Sequence, residues 1–121
     1  MTTKRYTADG AITTRRLVKR GASDTQMAQA SAVTDLIVGV YLGPGDAANG
    51  DTIDVCLLGE CTLEVTGSVS FGSLLTTDSN GKGAVAAPAS GVNNRIAAMA
   101  LQAGTNTTVR VLVLPGMVQG A

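Results

Sequence analysis

Apolar residues in this chain come in short blocks cut by turn-forming residues. The run 36–42, LIVGVYL, is nearly unbroken, too short for a helix and rich in β-formers, which predicts a strand buried on both faces. Gly43-Pro44-Gly45 ends it, and Asn49-Gly50 turns the chain into a strand over 52–58. Ile53, Val55 and Leu57 alternate onto one face there, and Cys61, Leu63 and Val65 do the same after a turn read at Leu58-Gly59-Glu60. Strands over 61–66, 69–76 and 82–87 follow, each bounded by glycine, proline, serine or asparagine. Asn80-Gly81 lies between Leu74-Leu75-Thr76 and Ala84-Val85-Ala86 and predicts a hairpin whose two turn residues both take positive φ.

In the last block Val109, Val111 and Val113 line one face, Leu112 and Leu114 the other, and Arg110 is the only charge before Pro115-Gly116. A sheet with one wet face alternates polar and apolar, so two apolar faces call for cover on both sides. A homo-oligomer interface at Leu112 and Leu114 would supply it, as would a central place in the chain's own sandwich. Strands this short and this evenly spaced predict an all-β fold, a small β-barrel or sandwich.

At 121 residues the chain has room for one real core. Phe71 is its single phenylalanine, Tyr6 and Tyr41 its tyrosines, and it has neither tryptophan nor histidine. A core of Val, Leu, Ile and Ala gains less per packed side chain than one with aromatics, so burial against further subunits would add stability. Without histidine the chain lacks the side chain that titrates near neutrality and the commonest metal-ligating nitrogen. No serine sits in a Gly-x-Ser-x-Gly turn. Cys56 and Cys61, in CLLGEC, lack the two-residue gap of a redox or zinc pair, and no other thiol or imidazole completes a metal site. If both β-runs face one core, Cys61 points in and Cys56 out, and the thiols stay reduced and unbridged; a register shifted by one would oppose them. The expectation is a protein with no catalytic residues, no cofactor and no metal.

Zero net charge conceals a separation along the sequence. Lys4, Arg5, Arg15, Arg16, Lys19 and Arg20 stand in the first twenty residues against Asp9 alone, whereas Lys82, Arg95 and Arg110 later face the remaining carboxylates. This reads as a basic N-terminal arm over 1–20 and a β-domain over 21–121. A polarised chain of this kind suits a segment that lies on another, negatively charged surface, though a solvated tail would carry the same charges. Nucleic acid is the weaker alternative partner, because Tyr6 is the arm's only aromatic platform. There is no apolar run long enough to span a bilayer and no signal-like apolar stretch near the start, so synthesis in the cytoplasm and no membrane contact are expected.

From Gly72 onward the signals run in the order Leu-Leu-Thr strand, Asp78 with Asn80-Gly81, a small-residue strand, Arg95 to Leu101, and Val109 to Leu114 closing on Pro115-Gly116. This order resembles the capsid decoration, or cement, proteins of tailed bacteriophages, some of them small β-barrel proteins of a family once labelled recombinase-like. The old label fails on the residues: a phosphate loop needs Gly, four residues, then Gly-Lys-Ser/Thr, but Gly81-Lys82 is followed by Gly83 and Thr76 stands in place of the first glycine. The resemblance implies a structural protein of the virion that binds the outer surface of the major capsid protein lattice and stabilises the mature capsid. It also implies homotrimers at threefold or quasi-threefold positions. The basic residues Lys4, Arg5, Arg15, Arg16, Lys19 and Arg20 are then the expected capsid contacts. Alternatives in the same particle are an internal nucleic-acid-associated protein and a tail or baseplate β-module. The segment 93–104 carries helix start and stop signals, yet the resemblance implies a strand with Arg95, Ala97, Met99 and Leu101 on one face. The strand is favoured, since packing overrides propensity.

Overall fold

The structure, a computed structural model, describes residues 2–87 and 93–119, with side chains for all of these but Asn93 and 115–119. Its elements are β1 (Thr2–Ala8), β2 (Leu17–Arg20), β3 (Gln26–Gln29), β4 (Ile37–Tyr41), β5 (Thr52–Glu64), β6 (Ser68–Val69), β7 (Leu74–Thr77), β8 (Gly83–Val85), β9 (Asn93–Ala100), β10 (Gly104–Thr105) and β11 (Thr108–Gln119). Strands β1, β3, β2, β4 and β5 pair in that order, and β5 pairs back onto β1, closing a five-stranded barrel. Only the β1–β3 contact is parallel within it. The sheet then runs on from β5 through β11, β9 and β7 to β8, while β6 and β10 form a separate ribbon. The all-β barrel expected from the turn spacing is therefore present, and 93–100 is a strand.

Two apolar cores follow from this layout. Ala8, Ile12, Val18, Met27, Tyr41, Ala47, Ile53 and Val55 fill the barrel. The outside of the barrel wall, with Leu17, Ile37, Val40 and Cys56, packs against Leu63, Leu75, Ala98, Val109, Val111 and Val113 of the second sheet. Strand β4 serves both cores, as its unbroken apolar run required: Val40 faces one and Tyr41 the other.

Three expectations are corrected here. The segment 1–20 is not an arm outside a 21–121 domain, because its residues form β1 and β2 of the barrel, and β1 pairs with β5 from Thr2↔Leu58 to Thr7↔Thr52. Leu58-Gly59-Glu60 is not a turn between strands but a bend inside one strand, where Gly59 takes φ +107°. Strand β11 continues through Pro115 to Gln119, with a break in its register on β9 between Val113 and Gly116.

A bulge just before the bend resets side-chain parity. The β1–β5 register jumps from Thr3↔Cys56 to Thr2↔Leu58, which leaves Leu57 as an extra, bulged residue. Before the bulge the odd residues Ile53 and Val55 face the barrel and Cys56 faces the second core; after it Cys61, Leu63 and Val65 face that second core. Both cysteines thus lie on one core, not on opposite sides of a single one, and both are free thiols. Burial, with Cys56 and Glu60 beside it, pushes the Cys61 thiol far above its ordinary pKa, so it stays protonated and unreactive.

Candidate interaction surface

The six basic residues expected to act together lie on separate parts of the barrel, and most are engaged by carboxylates of the same chain. Arg5 Nε is 3.4 Å from Asp54 Oδ1, Arg20 Nε 2.7 Å from Asp24 Oδ1, and Lys19 Nζ 3.2 Å from Asp35 Oδ2. Arg15, held at φ +58°, donates to Thr62 Oγ1 at 3.0 Å. Lys4 sits 5.5 Å from the centre of the Tyr6 ring. The charge separation along the sequence is thus cancelled in space, because the fold lays basic β1 and β2 beside acidic loops and β5. Among the described residues there is no free cationic arm; Lys4, Arg5, Arg15 and Arg20 remain exposed, and Lys19 and Arg16 are partly buried.

Arg16 has a structural duty. Its side chain is only 12% exposed, its Nε donates to Glu64 Oε2 at 3.0 Å, and its Nη1 donates to the Asn80 carbonyl at 2.7 Å. Lys82 Nζ approaches the other Glu64 oxygen at 3.6 Å. The Leu17 N–H donates to the Gly81 carbonyl, and Gln29 Nε2 to the Asn80 carbonyl. The β7–β8 hairpin tip therefore clasps the barrel. Strands β7 and β8 do form the expected hairpin, but its loop is longer than two residues and only Gly81, at φ +77°, takes the left-handed region. Asp78 organises it in place of a second positive φ, accepting from the Asn80 and Lys82 N–H groups at 2.8 and 2.9 Å. The Asn49-Gly50 turn behaves alike: Gly50 alone has positive φ, and Asn49 Oδ1 accepts from the Gly10 N–H. A Cβ on Gly81 would lie 2.8 Å from Gln29 Cγ in a conformation that resists side chains. Gly81→Ala is expected to cost about 1–3 kcal/mol in urea unfolding.

Asp35 closes the loop before β4. Burial pushes its carboxyl up, but the N–H groups of Ser31 and Ala32 and the Lys19 ammonium outweigh that, leaving it below the ordinary 3.8. A carboxyl lowered on folding stabilises above its unfolded value and loses that contribution as pH falls through the folded one. Asp35→Asn should therefore unfold about 1 kcal/mol more easily than the parent at neutral pH. The gap between the two denaturation curves should close well below pH 3.8.

Leu112 and Leu114 are half-buried. Leu112 lies opposite Glu60 on one side and Met99 on the other, and Met99 lies opposite Leu74. Directly opposed residues share a sheet face, so Leu112, Met99 and Leu74 form an apolar row on the outer face, bordered by the Arg110–Glu60 ion pair at 3.5 Å. Leu112 stands out in the sequence as an apolar residue, whereas Met99 and Leu74 join it only through strand register. A further exposed apolar group is Phe71, 71% exposed on a turn in which Ser73 N–H donates to the Ser70 carbonyl and Gly72 N–H to the Ala100 carbonyl. A lone phenylalanine within Ser-Phe-Gly-Ser was the available signal. Among the described residues no group of three His, Cys, Asp or Glu side chains is placed to hold a metal ion.

No protein-family model matches this chain, and no curated protein matches it. Among solved structures, the chain is similar to the head fiber gp8.5 N base of bacteriophage phi29, with a TM-score of 0.68 and 18% sequence identity over 93% of this chain and 93% of that one. At that identity the likeness is one of fold, and it extends over nearly the full length of both chains.

Proposed function

We propose that this chain is a non-enzymatic structural protein of a tailed-phage head, seated on the outer surface of the major capsid lattice as a homotrimer and reinforcing the mature shell. The observation that carries the reading is the fold shared, end to end, with a module of a phage head fiber. It joins the sequence resemblance to capsid decoration proteins. The mechanism is binding alone: a ligand that engages the assembled lattice but not its dissociated subunits stabilises the lattice by mass action. An oligomer that touches several capsomers at once makes its later contacts intramolecular and raises the effective concentration.

The row Leu74, Met99 and Leu112, with Leu114 at the register break, supports self-association through the outer sheet face. Lys4 and Arg15, exposed and engaged by no carboxylate among the described residues, support contact with the lattice. The DNA alternative is weakened by the ion pairs of Arg5, Arg16, Lys19 and Arg20, since each phosphate contact there would have to displace a carboxylate. Co-sedimentation with empty mature heads and with unexpanded precursor heads tests the reading. Retention on mature heads and not on precursors is the expected result; equal recovery in the supernatant with both would end it.

A further inference from the structure

One stretch of the barrel wall has no neighbour on one side. Strand β1 pairs with β5 from Thr2 to Thr7, but its other edge meets β3 only at Thr7 and Ala8. Among the described residues, Thr2–Tyr6 therefore keeps an unpaired strand edge, about 16 Å of alternating N–H and C=O groups. Thr2, Thr3, Lys4 and Arg5 are exposed, and only Tyr6 of the five packs against the barrel core. The other sheet edge is less available: β8 has three residues, and Gly83 is already bridged to Val65 and accepts from Thr66 N–H.

The charges on this edge decide what it accepts. Arg5 shares Asp54, with both side chains more than half exposed, and Lys4 has no carboxylate within ion-pair distance among the described residues. Two copies of β1 paired antiparallel would set Lys4 or Arg5 opposite or diagonal to the same residues of the partner, and like charges so placed destabilise a strand pair. A second copy is therefore repelled, and an acidic strand is attracted. We propose that Thr2–Tyr6 is a strand-addition edge that takes an extended, acidic segment of a different protein; on the reading given above, that protein is the head lattice. Backbone hydrogen bonds would supply affinity, and Lys4 the preference for carboxylates.

Amide hydrogen exchange of the full chain, free and bound to mature heads, tests this alongside Lys4→Glu. Strand addition slows exchange at the alternate amides of 2–6 that face the edge, and Lys4→Glu weakens head binding about tenfold by making an attractive contact repulsive. Wild-type chain that binds heads while its 2–6 amides exchange as in the free state, with Lys4→Glu bound equally well, overturns the strand-addition edge and leaves the head reading intact. Wild-type chain that fails to bind heads overturns both. Protection of 2–6 that grows with the concentration of the chain alone overturns the choice of partner, because a second copy then takes the edge.

Discussion

Gly39→Ala should leave little or no folded protein. A Cβ at Gly39 would fall inside the envelope of the Cys56 carbonyl oxygen, 2.9 Å from the Cys56 carbonyl carbon and 3.0 Å from Val55 Cγ1. The obstacle is backbone, held by the β4–β5 register at Val40↔Cys56 and Tyr41↔Val55, and Gly39 is fixed on its other side opposite Val18. Nothing there can swing aside as a flexible side chain would. Making room means separating two strands of a closed barrel between two packed cores. The expected loss exceeds about 4 kcal/mol, a large part of the ~5–15 kcal/mol that holds a domain together. Circular dichroism during urea titration reads it directly; a cooperative transition within about 0.5 kcal/mol of the parent would show that β4 and β5 are not packed as described.

Leu17→Ala is the second large effect, expected at about 2–5 kcal/mol. Leu17 is fully buried in the core shared by the barrel and the second sheet, while the adjacent Val18 fills the barrel itself. Its N–H holds the Gly81 carbonyl and its C=O accepts from Ala30, so the hole left by the lost isobutyl group lies beside a fixed backbone and collapses poorly. The wall of the barrel is also the floor of the second core, which makes the two cores one cooperative unit. Tyr6 and Tyr41 report on the barrel side. Their fluorescence and the far-ultraviolet dichroism should therefore shift to lower denaturant together. Tyrosine signals that keep the parental midpoint while the dichroism moves would mean two independently folding halves.

The strands were legible where burial leaves a local mark. The run 36–42 faces two cores and is apolar at almost every position; Val109, Val111 and Val113 alternate because one side of β11 is packed. What was hidden depends on partners far away in sequence. Thr2 to Arg5 carry no apolar pattern since both of their faces are exposed, so nothing local shows that this segment pairs with 54–58. The same distance effect hides the ion pairs, because Arg16 and Glu64 meet only once β2 and β5 are folded together. Gly59 resembles a turn residue because nothing local shows that the strand bends there and continues, and the bulge at Leu57 just before it reverses the parity that would set Cys56 against Cys61. At the candidate surface, Leu112 was visible as an apolar residue on the second face of its strand. Met99 and Leu74 joined it only through register.

If the chain strengthens a phage head, as proposed, heat-driven release of packaged DNA measures that strength most directly. Full heads lacking the protein are warmed with and without it, and DNA exposure is followed with an intercalating dye. Release is expected at a higher temperature once the protein is added, with the gain saturating as the lattice sites fill. Release curves that coincide at saturating protein would contradict it.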